Sequence, residues 1–370
     1  MPKLQIKGYK TYGVSIDLTN NNPLTSVIYT DDATGMTGGS TDWDNIDVFK
    51  SIRPCLLKNG VVQYYLNPND FTKKADGSAS DITSGNDGDV MIEIPKLGYY
   101  IETVGNILNV KVTTVANNRR FKYYAHSRDS EGDRENLYIG AYLGWYDGSS
   151  KLRSISGKTP TASQTIGTFR TQAQANGTGY DQISFYPLTL LQCLYLIRYK
   201  NLDSQTALGR GYVDGNASAT ATGGTNALGM YYGEATGKVQ MKFAGIEDFW
   251  GNLYYWIDGL FSNATWNILT AFKSFNDTGS GYTDNGRGAT ANIEGYMSKP
   301  QGGNGTGFVL KEYSGSYSTY FCDNGYLYAS RLPAFGGNWA NGSSAGAFRL
   351  YVNDSASYSN SDVGGRLMYL

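Results

Sequence analysis

The spacing of apolar residues changes along the chain, and each change predicts an element. Phe49 to Pro68 reads FKSIRPCLLKNGVVQYYLNP, two apolar runs around Lys58-Asn59-Gly60. An Asn-Gly pair between such runs supplies the left-handed backbone of a tight hairpin, so two strands are expected. Val90 to Val112 alternates with period two and predicts further strands, Met91, Glu93 and Pro95 opposing Ile92, Ile94 and Lys96. Shorter alternating runs at Leu4–Ile6 and Tyr12–Leu18 read as edge strands. The period then lengthens. In PLTLLQCLYLIRYKN, Pro187 to Asn201, apolar residues recur at three- and four-residue spacings behind a proline suited to a first helical turn. That helix is apolar nearly all round, so it is expected to be buried against a sheet. A shorter helix is expected over Ile166–Ala175, and a hairpin over residues 231–245 turning near Thr236-Gly237.

Between these elements lie polar, glycine-rich excursions at 149–180, 214–230 and 278–306. Residues 1–42 are polar and broken by turn signals (NNNP, then DDATGMTGGSTD), and read as an attachment or assembly arm. No Pro-rich or charged linker interrupts the remainder, so 43–370 is expected to form one domain. The fold class predicted is α+β: strand-rich, with one long buried helix and extended loops.

Composition narrows the function. Charged residues make up 17% of the 370, the net charge is −1, and no basic run is present. A nucleic-acid partner, which needs a concentrated positive footprint, is not expected. The N-terminus lacks the apolar core of a secretory signal, and no run reaches the roughly 18 apolar residues of a membrane span. Cys55, Cys193 and Cys322 are scattered and read as small buried hydrophobes, and His126 is the sole histidine. Neither a metal ion nor a cofactor is expected. The turn NDGD (Asn86 to Asp89) reads as a solvated loop.

Two stretches remain. GIEDFWGNLYYWIDG (Gly245 to Gly259) gathers Trp250, Tyr254 and Trp256 around a Gly251-Asn252 turn. Residues 331–370 combine abundant Gly, Ser, Asn and Tyr with a frame of Phe335, Trp339, Phe348, Leu350 and Val352. Rigid Tyr for contact area with Asn and Ser for adaptable hydrogen bonds is the chemistry of a recognition surface.

The first stretch resembles the GNVWEW-type segment of the formylglycine-generating-enzyme branch of the C-type lectin fold. There a GG-x-aromatic segment and a terminal G-x-R-like strand follow, matched here by Gly336-Gly337-Asn338-Trp339 and Gly364-Gly365-Arg366. The cysteine pair of the oxidases is missing near Asn341 and Gly346, which argues against that chemistry. The Glu-Pro-Asn and Trp-Asn-Asp motifs of calcium-dependent lectins are missing too. Phe335 to Arg366 is similar to the variable region of retroelement-diversified phage receptor-binding proteins, the major tropism determinant family. The resemblance implies a C-type lectin-like receptor-binding domain over 43–370, with a variable-type region at 331–370. It implies receptor-facing positions at Asn338, Ala340, Asn341, Gly342, Ser344, Tyr351, Asn353, Asp354, Tyr358, Asn360 and Asp362.

Independently, Tyr351 and Asn353 alternate with Leu350 and Val352, as an exposed strand face requires. Tyr358, Asn360 and Asp362 alternate likewise with Ser357, Ser359 and Ser361. The expected function is a phage tail adhesin on the virion, made in the host cytoplasm without a signal peptide. It would bind a bacterial surface protein or polysaccharide without catalysis, as a homotrimer joined to other tail or baseplate proteins. Two alternatives stay open: a glycan-degrading tail enzyme, with Glu247, Asp248 and Asp258 as candidate carboxylates, and a structural baseplate protein.

Overall fold

The computed structural model describes residues 10–115 and 119–370. The strand expected at Leu4–Ile6 lies outside them. Among the described residues the chain is strand-rich with few helices, and no helix is long and apolar enough to cross a membrane.

The Asn-Gly turn forms as its chemistry dictates: Asn59 and Gly60 adopt φ of 52° and 74° between the strands Arg53–Lys58 and Val61–Asn67. These belong to a seven-stranded antiparallel sheet. Its order is Tyr180–Gln182, Leu367–Tyr369, Asn136–Gly140, Asp89–Pro95, Arg53–Lys58, Val61–Asn67 and Asp70–Lys74. The strand Asp89–Pro95 was expected to show two distinct faces, and instead both are buried up to Ile94. Met91, Cys55 and Leu57 face one apolar cluster, roofed by the helix Ile166–Gln174, while Ile92 and Ile94 face the main core. A mid-sheet strand covered on both sides keeps its alternation but loses its contrast. Asp89 is likewise no part of a solvated turn. It is buried, accepts from the Ser154 amide at 2.7 Å and pairs with Arg153 at 3.0 Å.

A second sheet has the order Val27–Asp31, Thr11–Asp17, Ile107–Thr113 and Gly98–Val104. Thr11–Asp17, expected at an edge, is therefore an interior strand, paired on both sides. Val14 and Ile16 enter the main core, and Tyr12 packs edge-on to Trp43 with centroids 5.9 Å apart. Residues 11–43 are thus built into the body of the molecule. The partner strand comes from nearly a hundred residues downstream, a pairing that local periodicity does not reveal.

The long helix spans Phe185–Tyr199, starting and ending two residues earlier than its pattern predicts, and each of its residues is buried. Lys200 closes it in the left-handed region at φ 52°. The helix packs on the second sheet, and Tyr195 meets Trp250 and Phe348 edge-on at 6.2 and 5.7 Å. The short helix forms over Ile166–Gln174, with the Thr165 hydroxyl capping the Thr168 amide. The hairpin expected over 231–245 reduces to one bridge between Tyr232 and Lys242. The excursion at 278–306 contains the strands Thr283–Arg287 and Ile293–Tyr296.

The third sheet is mixed: Ile293–Tyr296, Asn324–Leu327, Leu350–Asp354, Leu332–Phe335, Tyr254–Trp256 and Val363–Gly364. Arg366 joins it to the first. Its buried guanidinium donates to the carbonyls of Gly140, Glu247 and Asp248, each at 2.9 Å, and lies 4.8 Å from the Tyr255 ring centroid. Arg366→Met leaves those carbonyls unpaired. It should destabilise the protein by roughly 3–5 kcal/mol, read as a lower denaturant midpoint at unchanged slope.

A candidate binding face on the C-terminal sheet

The segment Gly245 to Gly259 builds the support. Trp250 and Trp256 are buried, their indole N–H groups donating to Arg210 O at 3.1 Å and Gln164 O at 3.2 Å. Gly251 and Asn252 both take positive φ, 83° and 65°. The Asn252 carboxamide accepts from the Thr220 amide at 2.9 Å and donates to Asp248 Oδ2 at 2.8 Å. The candidate carboxylates of this stretch are engaged within the scaffold, apart from Asp248 Oδ1, which is shielded from solvent and has no hydrogen-bond partner. Glu247 accepts from the amides of Gly223 and Thr225 and from Gln240, so the 214–230 loop wraps it. Asp258 is held by Arg170 and Gln182. All three are buried, with at most 1% exposure.

Gly336 and Gly337 bring the chain back against this support at φ 95° and 90°. A Cβ on Gly337 would stand 2.8 Å from Ala345 Cβ, in a backbone region that side chains resist. Gly337→Ala should therefore cost about 1–3 kcal/mol, measured by thermal or chemical unfolding.

Above the support lies a polar-aromatic face. Cross-strand partners form a row, Glu294–Tyr326–Tyr351–Ala334–Trp256, spanning five strands. Leu350 and Val352 point into the main core, while Tyr351 and Asn353 lie on the other side of the strand, half-buried where an exposed face was expected, with Tyr351 packed against the second apolar cluster. Tyr351 lies 3.8 Å from Tyr326 and 5.2 Å from Tyr254, centroid to centroid. Arg349 sits 4.8 Å from the Tyr351 ring and donates to Tyr254 Oη and Ser344 O, both at 2.7 Å. Tyr328 extends the row, 5.8 Å from Tyr326, with its hydroxyl bonded to Glu294. Rings packed this closely, at tilts of 43° to 52°, are preorganised, so little side-chain entropy remains to be lost on binding.

The residues expected to face a receptor form one connected region but differ in exposure. Ala340 and Asn360 are exposed; Asn341, Gly342, Ser344, Tyr351, Asn353, Asp354, Tyr358 and Asp362 are partly buried. Asn338 does not face outward: at 8% exposure it donates to Asp362 Oδ2 at 2.7 Å and accepts from the Ala340 amide at 2.9 Å. The double-glycine turn directs it inward, and its carboxamide shapes the loop. Asn341 is similarly engaged, its Oδ1 accepting from the Asn338 amide at 2.7 Å. Nor is the alternation over 357–362 that of a strand. Residues 355–362 form turns and coil, and Tyr358 turns in edge-on to Trp256 at 6.1 Å.

Tyr326, Tyr328, Glu294 and Arg349 belong to the face and were not singled out by the sequence. The pattern of Asn324-Gly325-Tyr326-Leu327-Tyr328-Ala329 carried the signal, an alternation of large polar and small or apolar residues.

No family model matches the chain, and no curated protein does. Solved structures that resemble it include the "Major Tropism Determinant P3c Variant" and the "Major Tropism Determinant M1 Variant". Each is 12% identical, with a TM-score of 0.32, over 100% of this chain and 73% of the other. Likeness at that depth establishes no shared function.

At one end of the face, burial and the neighbouring Asp362 push the Asp354 carboxyl up to about 7, against the pull of Arg331. A folded-state pKa above the ordinary 3.8 means the native protein holds this proton more tightly than the unfolded chain does. Stability from this group is present below about pH 4 and is lost as pH rises towards 7. Asp354→Asn should raise stability above pH 7 by on the order of 1–2 kcal/mol after solvent screening. Near pH 4 it should change little. Melting temperatures of the two proteins across pH 4 to 8 check this.

Proposed function

We propose that the protein is a receptor-binding protein, a phage tail adhesin on a C-type lectin-like scaffold. The single observation that carries this reading is the row of closely packed, mutually tilted tyrosines on a rigid sheet, with Asn353, Asn360 and Asp354 set beside it. Such a face offers flat contact area, adaptable hydrogen bonds and no reactive group. The similarity of residues 335–366 to the variable region of retroelement-diversified adhesins adds to it. The partner is a bacterial surface protein or polysaccharide, met in the extracellular medium by a protein carried on the virion. Recognition needs neither catalysis nor a cofactor. Weak single contacts are multiplied by trimeric display and by several copies per particle. Burial of Glu247, Asp248 and Asp258 favours this reading over glycan cleavage, which needs two carboxylates facing a substrate.

The test is binding of the purified protein to a panel of bacterial cells. Tyr328→Ala with Asn353→Ala and Asn360→Ala changes the outward groups while sparing Tyr351 and Tyr358, which pack on the support. Binding is expected to fall by about tenfold or more with an unchanged melting temperature. Undiminished binding on a cell that the wild type recognises would remove the face from consideration.

A further inference from the structure

A separate concave feature lies elsewhere on the molecule. A cleft of about 900 Å³ opens between residues 39–54, the strand Val61–Asn67, the end of the long helix and residues 229–233. It shares no lining residue with the C-terminal face. Its volume lies within the roughly 300–1,000 Å³ common for small-molecule sites. Phe49, Tyr65, Tyr231 and Tyr232 give it aromatic walls.

Two guanidinium groups stand among these rings. Arg53 is half exposed and lies 3.8 Å from the Tyr65 ring centroid. It is fixed by Tyr65 Oη at 2.7 Å and by the buried Glu93 at 2.5 Å. Arg198 is only 3% exposed and lies 3.5 Å from the Tyr231 ring centroid, with Nη2 on Asp44 at 2.9 Å. Its Nε and Nη1 are shielded from solvent and have no hydrogen-bond partner. A buried guanidinium with unmet donors is costly, and native proteins rarely leave one unless something else supplies the acceptor. Lys50 adds a third positive charge to the lining, whose sole carboxylate is Asp44.

We propose that this cleft binds an acidic saccharide. Sugar rings present C–H faces to the tyrosines, and hydroxyls meet the polar rim at Asp44 and Asn69. The carboxylate lies between Arg53 and Arg198, reaching the Arg198 nitrogens as the Tyr231 ring yields. A neutral saccharide leaves those nitrogens unmet and binds more weakly. The proposal does not rest on the adhesin reading, because the cleft and the C-terminal face are separate.

The experiment is titration calorimetry of the full chain with trigalacturonic acid and trisialic acid, and with maltotriose as the neutral probe. At least one acidic trisaccharide is expected to bind about tenfold or more tightly than maltotriose. Tyr232→Ala should weaken it by about as much with an unchanged melting temperature, and Arg53→Gln should weaken it by about as much while lowering the melting temperature, because the buried Glu93 loses its cation. Tyr328→Ala with Asn360→Ala should leave it intact. Binding of neither acid, equal affinity for maltotriose, or acid binding that survives both cleft variants would overturn the proposal. Loss of binding in the C-terminal face variant alone would overturn it as well.

Discussion

The guanidinium of Arg366 reaches three carbonyl oxygens in two distant stretches, Gly140 on one side and Glu247 and Asp248 on the other. Gly140 ends a strand of the seven-stranded sheet, and Glu247 and Asp248 begin the turn that carries Trp250. One side chain therefore sets the distance between the first sheet and the support of the third. No carboxylate shares the contact; backbone dipoles receive the charge, and the Tyr255 ring covers it. A planar group with several fixed donors suits this arrangement, and the flexible ammonium of lysine does not. Burial draws the guanidinium pKa down, yet arginine stays charged in proteins.

From that support the outer face follows. The strand Leu350–Asp354 bonds through its backbone to a parallel neighbour on one side and an antiparallel one on the other. Its inward side chains, Leu350 and Val352, are locked in the core. The position of the strand is thus fixed by groups that do not depend on its outward residues. The Asn353 carboxamide oxygen has no hydrogen-bond partner in that frame, and the residue stands half-buried beside it. Tyr351 and Tyr358 are different: each gives one surface to the support and one to solvent, so they contribute to stability and contact together.

Much of the fold was legible where local chemistry decides. The Asn59-Gly60 hairpin, the buried helix and the capped helix after Thr165 follow from turn residues, period and capping. What local pattern does not encode is which strands meet. Thr11–Asp17 reads as an edge strand because its partner Ile107–Thr113 is remote. Strand Asn324–Leu327 likewise reveals its place beside Leu350–Asp354 only once they pair. For the candidate face, the alternation around Tyr351 appears in the burial of the strand, with Leu350 and Val352 buried and Tyr351 and Asn353 half-buried. The inward turn of Asn338 was illegible, since it depends on Gly336 and Gly337 directing the chain against Trp250.

The strand Leu367–Tyr369 lies inside the seven-stranded sheet, between Tyr180–Gln182 and Asn136–Gly140. During synthesis its neighbours emerge from the ribosome long before it does. Until it arrives, the edges of Asn136–Gly140 and Tyr180–Gln182 stay open, and the carbonyls awaiting Arg366 have no donor. A nascent chain must hold these edges apart from one another and from other chains while some two hundred residues are still being made. Stalled or truncated chains therefore present unpaired strands, and the cell's chaperones and proteases are given a physical mark by which to recognise them.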